Sequence, residues 1–315
     1  MSPDVSPSPE RGAKGGLKTF LTKGWPTRLG FSLGKYLPSR LGNIIANLAA
    51  RLIVTFKPDV YWTTRANLRH VLGGAISEDE LDRSLHRLFR NAARSYYELF
   101  HNVGRGILDA DAFEPPVRMS PETKAYIEQG IASGRGLMIL GAHISNFDLA
   151  LIGLSLHIPV EMQALSLAEP PPGFEFFNQL REQGNVLITP ITPRSLRDAM
   201  VRLRQGGVVL TGVERPIGEG DEPVEFFGAT AHIPTGYVRL PMRTDSLVMT
   251  IAAHYEDGAY DVVGNPPLEM VRTGDTEADA AVNLRHILGE IETFVRRWPD
   301  QWMMFVPVWQ DTDKE

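Results

Sequence analysis

Apolar residues along this 315-residue chain follow two rhythms. From Trp25 to about Leu108 they recur at three- and four-residue steps. Within Glu78–Phe100 the series Leu81, Leu85, Leu88, Phe89, Ala92, Tyr96 and Phe100 draws one stripe along a helix. From Ser120 onward, short apolar runs alternate with helical stretches, the mark of α/β architecture. The spacing predicts helices at 121–132, 146–156, 174–183, 194–204 and 276–297, interleaved with strands at 136–141, 160–165, 186–190 and 207–213. After residue 213 a long Gly/Glu/Pro loop is expected, then a helix over Pro234–Met242 and a hairpin through 247–263 turned at Asp257-Gly258. The expected fold is α/β: a single mixed, mostly parallel sheet flanked by helices, with an N-terminal amphipathic helical portion. Along the chain this divides into a disordered tail over 1–16, a helical membrane-facing portion over 17–108, and an α/β body over 109–315 that forms one structural domain with it.

Composition is that of a globular protein, 43% hydrophobic and 22% charged. The chain has no cysteine, which excludes a disulfide framework, a thiolate nucleophile and a cysteine metal site. Its net charge of −6 hides an asymmetry, with +6 over residues 1–60 against −12 over the remainder. A basic end on an acidic body points to an anionic surface, and a membrane fits better than nucleic acid because no basic-aromatic module accompanies the charge. No run reaches the ~18–20 apolar residues of a spanning helix. The nearest, GNIIANLAARLIVT at 42–55, carries Asn43, Asn47 and Arg51. Met1–Glu10 lacks the basic start and apolar core of a signal peptide. Leu17–Phe56 instead mixes Leu, Ile and Phe with Lys and Arg, as helices lying in a bilayer interface do; the alternative is a surface helix pair packed on the body. The expected location is peripheral, on the cytoplasmic face of the cell membrane.

Candidate chemistry sits at GAHISNFDLALIGLSL, residues 141–156, between a buried strand and a buried helix. In one continuous helix His143 and Asp148 would not share a face, because five residues turn about 500°. They meet only if the helix begins between them, with Ser145 as N-cap and Ser145-x-x-Asp148 as a capping box. The imidazole can then fold back onto the carboxylate, which would orient the ring and stabilise its protonated form. The place is also the carboxyl end of a strand, where open α/β sheets bind ligands. The alternative is a capping acid beside a polar turn residue. His86, on the amphipathic helix, has a structural reading. No Gly-x-Ser-x-Gly elbow, GxGxxG or P-loop pattern is present, which leaves a base acting directly on a substrate hydroxyl. A second constellation follows the strand at Val208–Val213, which ends in Glu214-Arg215. An arginine there would bind a phosphate or carboxylate and the neighbouring acid a hydroxyl; a surface ion pair is the alternative. Arg181 is a second anion-binding candidate.

A strand, His-x4-Asp and a helix, with an arginine-bearing turn after a later strand, resemble the lysophospholipid acyltransferase superfamily. Within it the chain is most similar to the branch of bacterial lipid A lauroyl/myristoyl acyltransferases and phosphatidylinositol mannoside acyltransferase. The similarity runs over roughly residues 28–310: Arg65-Ala-Asn-Leu-Arg-His-Val-Leu-Gly73, LFRNAARSYYELF (88–100), AEPPPGFEFFNQLREQG (168–184), VERPIG and VEFFG (213–228), and PDQWMMFVPVW (299–309). Glu214-Arg215-Pro216 resembles the mannoside enzymes more than the lipid A ones. Ser166–Pro170 lacks the Arg-Pro pair of the lipid A enzymes, and Pro307-Val308-Trp309 stands where they have His-Arg-Arg.

The resemblance implies acyl transfer from a thioester, acyl-CoA or acyl carrier protein, to a hydroxyl of a membrane glycolipid or phospholipid, with a phosphatidylinositol-mannoside-like acceptor favoured over lipid A. His143 would take the hydroxyl proton while Asp148 holds the imidazole. Backbone N–H groups near the start of the 146–156 helix would stabilise the oxyanion. Arg215 and Arg181 would bind a phosphate or polar headgroup. Glu169, Glu214 and Glu225 are candidates for acceptor hydroxyls or a second contact to His143. The partners implied are an anionic membrane surface, a lipid acceptor and the thioester donor, with no metal or redox cofactor. Two alternatives stay open: a catalytically inactive lipid-binding homologue, and an acyl thioesterase or esterase.

Overall fold

The computed structural model describes residues 24–309 apart from 170, 171 and 219. The tail expected over 1–16, and residues 17–23 of the helical portion, lie outside the described residues. A seven-stranded sheet runs through the body in the order β1-β9-β8-β2-β5-β3-β4. Its strands are β1 (Val117–Met119), β2 (Leu137–Gly141), β3 (Met162–Ser166), β4 (Val186–Pro190), β5 (Val208–Gly212), β8 (Leu247–Glu256) and β9 (Ala259–Gly264). Only the β8/β9 hairpin is antiparallel, so the sheet is mixed and mostly parallel, as the sequence predicts. The hairpin turns at Asp257 (φ 46°) and Gly258 (φ 80°), the left-handed pair that a two-residue connection requires.

Helices α5 (Pro121–Ala132), α6 (Phe147–His157), α7 (Pro172–Arg181), α8 (Pro193–Arg204), α9 (Gly236–Thr244) and α10 (Thr276–Arg297) surround the sheet. Their starts are written locally: Ser120 accepts from the Thr123 N–H before Pro121, Thr192 and Ser195 form a reciprocal capping box, and Asp275 accepts from the Ala278 N–H. Alternation along the buried strands sends neighbouring residues to opposite faces. Met138 and Leu140 join Val209, Leu203 and Ile291 in one core, while Leu137 and Ile139 join Leu149, Ile152 and Leu210 in the other.

The N-terminal portion consists of α1 (Gly24–Gly34), α2 (Ser39–Phe56), α3 (Asp59–Leu72) and α4 (Glu78–Gly104). The stripe of α4 is buried at Leu81, Leu85, Leu88, Phe89 and Ala92, and it receives Ala50 of α2 and Tyr61 and Leu68 of α3. Beyond it, Leu99 and Phe100 enter the core shared with the sheet. The opposite side of α1 and α2 is apolar yet open: Leu33, Ile44, Leu48 and Phe56 are between 55% and 76% exposed. Among the described residues no helix is long and apolar enough to cross a membrane.

Three details depart from the sequence reading. The stretch expected as a loop holds a separate hairpin, β6 (Asp221–Phe226) and β7 (Ala229–Pro234), turned at Phe227 (φ 52°) and Gly228 (φ 74°). The helix expected from Pro234 begins at Gly236, because Pro234 closes β7. Strand β1, three residues long and paired only to β9, has no local pattern to announce it.

Candidate active site

The parallel register of β2 and β5 sets Gly141 beside Gly212. Two residues past each glycine, His143 and Glu214 stand side by side at the carboxyl edge of the sheet. Glu214 is fully buried. Its Oε1 accepts the His143 backbone N–H at 2.7 Å and the Trp302 indole N–H at 3.0 Å, and its Oε2 lies 3.2 Å from His143 Nδ1. Burial acts to raise the pKa of this carboxyl. The charge of His143 and the hydrogen bonds from its ring and backbone outweigh burial and hold the group below the usual carboxylate range. A carboxylate only accepts, so Nδ1 carries the hydrogen, and in the neutral ring Nε2 keeps its lone pair.

The turn bearing His143 is held from both ends of the chain. Met303 donates its N–H to the His143 carbonyl at 2.8 Å, and Ser145 donates to the Gln301 carbonyl at 2.6 Å. That C-terminal segment is in turn fixed by buried Asn67 of α3, which donates to the carbonyls of Met304 (3.1 Å) and Val306 (2.8 Å) and accepts from the Val308 N–H (3.2 Å). Gly212 makes room for the ring: a Cβ there would fall 2.5 Å from His143 Cε1 and 2.9 Å from Nε2. Phe147 meets the imidazole edge to face, with centroids 5.1 Å apart.

The expected His143–Asp148 pair is not formed. Helix α6 starts one residue later than the sequence suggests: its N-cap is Asn146, whose side chain accepts from the Leu149 N–H at 3.2 Å. Ser145 adopts φ 55° in the turn, and its buried hydroxyl has no hydrogen-bond partner among the described residues. The shift carries Asp148 toward α7, where Oδ1 accepts from Arg181 Nε at 2.6 Å while Arg181 Nη1 donates to Asn178 at 2.8 Å. The residue on the imidazole is Glu214, which the sequence offers only as a second contact.

His143, Asp148, Arg181 and Arg215 border one cavity of about 600 Å³. Burial lowers the pKa of Arg215 from its ordinary value, and the like charge of Arg181 acts in the same direction. Glu214 sits behind His143. Glu169 and Glu225 are exposed, and neither borders the cavity. Sequence reasoning missed Trp302, Asn67 and Gly212. For Trp302 and Asn67 the signal was present, since both lie in blocks that carry the family resemblance; Gly212 needed only the observation that a strand ending in glycine admits a neighbouring ring.

The cavity takes its shape from a parting of strands. β3 pairs with β5 only as far as Ala164 and Leu210, after which β3 follows β4 and β5 follows β2. Such a divergence is where α/β sheets open a ligand crevice. The lining accordingly comes from both faces, Ala150 and Leu154 of α6 on one and Leu196, Met200 and Leu240 of α8 and α9 on the other. Apolar walls around a few polar groups suit a chain-bearing substrate. Among the described residues no cluster of His, Asp and Glu could hold a metal.

A family model described as bacterial lipid A biosynthesis acyltransferase matches residues 21–311. Phosphatidylinositol mannoside acyltransferases from Mycobacterium tuberculosis (strain ATCC 25618 / H37Rv) and Mycolicibacterium smegmatis are each 21% identical to the chain over 187 residues. Those alignments cover 58% of this chain and 58% and 60% of the two relatives, under two thirds of their length. A solved structure, the 1-acyl-sn-glycerophosphate acyltransferase PlsC from Thermotoga maritima, aligns with 83% of this chain and 99% of that one at 13% identity and a TM-score of 0.36.

Proposed function

The chain belongs to the bacterial lipid A biosynthesis acyltransferase family, and from that premise we propose that it moves a fatty acyl chain from an acyl thioester to a hydroxyl of a membrane glycolipid or phospholipid. The carrying observation is the Glu214–His143 pair, whose imidazole borders the apolar cavity. His143 Nε2 takes the proton of the acceptor hydroxyl as its oxygen attacks the thioester carbonyl carbon. The C–O bond forms, the C–S bond breaks, and the departing sulfur takes the proton from the imidazolium. Glu214 fixes the ring and offsets its transient charge. The N-terminus of α6 lies at the same edge, where its dipole favours the developing oxyanion. Asp148 acts through Arg181, and Arg181 and Arg215 form the cationic part of the site that meets the acceptor headgroup.

A phosphatidylinositol-mannoside-like acceptor is favoured over lipid A. Glu214-Arg215-Pro216 supports this, as do the missing Arg-Pro and His-Arg-Arg blocks of the lipid A enzymes and the names of the curated relatives. The donor is acyl-CoA or acyl carrier protein. The open apolar side of α1 and α2, interspersed with Lys35, Arg40, Arg51 and Lys57, supports peripheral attachment to an anionic membrane on its cytoplasmic face.

The test supplies a labelled acyl thioester with and without membrane lipids and follows both thioester and lipid masses. A new acylated lipid, absent with His143→Ala, is expected. Free fatty acid formed at the same rate without lipid would make the protein a thioesterase. An untouched thioester would make it a lipid-binding homologue.

A further inference from the structure

The sheet separates two approaches to His143. On one face the cavity is walled by α6 and α7, and α1 packs on α7 with the rings of Phe31 and Phe176 5.2 Å apart. That side therefore adjoins the open apolar surface of α1 and α2. On the other face the walls are α8 and α9, whose apolar residues belong to the opposite core.

Two arginines one turn apart on α9, Arg239 and Arg243, border the cavity on this second face. Arg239 forks onto Glu277, with both bonds at 2.9 Å. Arg243 is exposed, and among the described residues it makes no hydrogen bond or ion pair. Arg181, on the first face, is already matched by Asp148 at 2.6 Å. An unmatched guanidinium at the rim of an apolar slot is suited to a phosphate whose remaining chain runs inward, because the planar fork binds phosphate oxygens in pairs.

The lipid acceptor lies in a membrane and the thioester donor comes from water, so the two gain by separate entrances. We propose that the donor enters between α8 and α9, its phosphopantetheine phosphate held by Arg243 with Arg239 beside it, while the lipid acceptor arrives from the α1–α7 face. The proposal rests on the acyltransfer reading above and assigns the two substrates to opposite faces of the sheet. Acyl-CoA and acyl carrier protein share this phosphate; CoA adds nucleotide phosphates.

The experiment compares Arg243→Ala and Arg243→Glu with the unaltered protein, after melting curves establish that each folds. The donor KM is measured for acyl-CoA, acyl carrier protein and phosphate-free acyl-pantetheine, and the dissociation constant for an S-alkyl-CoA thioether. Arg243→Glu is expected to raise the KM for both phosphate-bearing donors and the thioether dissociation constant at least tenfold. The acyl-pantetheine and acceptor KM values are expected to move less than twofold. An effect on acyl-CoA and the thioether alone would place the nucleotide phosphates on Arg243 and keep the entrance. Equal effects on acyl-pantetheine, an effect on carrier protein alone, or no effect overturns the assignment. The thioether measurement needs no turnover: Arg243-dependent binding without acyl transfer would retain the entrance and sink the reading of the reaction, and no binding together with no transfer would sink both.

Discussion

Glu214 holds His143 at two points, the backbone N–H at 2.7 Å and the ring Nδ1 at 3.2 Å. One carboxylate thus sets the position of the turn and the tautomer of the base. Glu214→Gln keeps the volume but offers an amide, whose NH₂ facing Nδ1 would force the hydrogen onto Nε2, the wrong nitrogen for a base. Turnover is expected to fall at least about 100-fold, by analogy with the loss of an orienting carboxylate in hydrolytic triads. Glu214→Ala should also destabilise the fold, since it orphans the His143 N–H and the Trp302 indole at about 1–3 kcal/mol for each buried donor. Steady-state rates paired with melting curves check both. A Glu214→Gln variant with more than a tenth of normal turnover removes Glu214 from the mechanism.

Asp148 and Arg181 are coupled to each other and not to the imidazole. A double-mutant cycle over Asp148→Ala and Arg181→Ala should return a coupling of about 1–3 kcal/mol in transition-state stabilisation, as for residues of one buried ion pair. The cycle pairing Asp148→Ala with Glu214→Gln should be additive within about 0.5 kcal/mol. Strong coupling in the second cycle alone would restore Asp148 to the histidine.

Much of this arrangement was legible in the sequence, and the failures have definite causes. Buried strands such as Leu137–Gly141 and Val208–Gly212 announce themselves as short apolar runs, and α5 and α10 begin where Ser120 and Asp275 cap them. The β6–β7 hairpin is hidden in the sequence because Pro223 and the charges around it outweigh Val224 and Phe226, and because Phe227-Gly228 lacks the Asn or Asp that usually precedes glycine in a two-residue turn. The sequence pairs His143 with Asp148 because a helix capped at Ser145 would let the imidazole fold back onto the carboxylate; the cap is Asn146 instead. The partner of His143 lies 71 residues away, and only the strand register brings the two level.

Gly212 is a positional requirement of the base. In Gly212→Ala the added methyl would overlap the imidazole at 2.5 Å, so the ring must leave Glu214 or the strand end must move. Turnover should fall by at least about tenfold, because small misplacements of catalytic groups cost that much or more. The Tm should shift by only a few degrees, since the glycine lies at the end of β5 with no positive φ to lose. A fully active Gly212→Ala would mean that His143 works from another position.

The open side of α1 and α2 makes a separate prediction. Ile44 and Leu48 are 61% and 55% exposed and one turn apart. Ile44→Glu/Leu48→Glu should leave the melting curve within a degree or two, because neither residue is in a core. It should also reduce sedimentation with anionic vesicles at least tenfold, by removing apolar area and adding charge that the surface repels. Equal sedimentation of the variant and the unaltered protein would place the membrane contact elsewhere on the molecule.

Glu98 ties the helical portion to the sheet in a way that depends on pH. It is buried in α4, accepts a hydrogen bond from the Tyr260 hydroxyl on β9, and lies 3.5 Å from Arg94 Nε. Burial, only partly offset by Arg94 and the Tyr260 bond, pushes its pKa up to about 7 from an ordinary 4.5. Between these values the Glu98 carboxyl holds a proton in the folded protein that the unfolded chain has released, so the contribution of Glu98 to stability falls as pH rises from about 4.5 to about 7, then levels off. The full swing is about 3 kcal/mol. Asn146, the cap of α6, donates to the Ser95 carbonyl on the same stretch of α4 at 3.0 Å, so loosening this joint also loosens the helix that follows His143. A series of melting curves from pH 4.5 to 8 should show that decline for the unaltered protein. Glu98→Gln cannot ionise, and the decline should be absent from its series whatever its absolute stability. Parallel curves for the two proteins would show that the proton taken up on folding is held by another group.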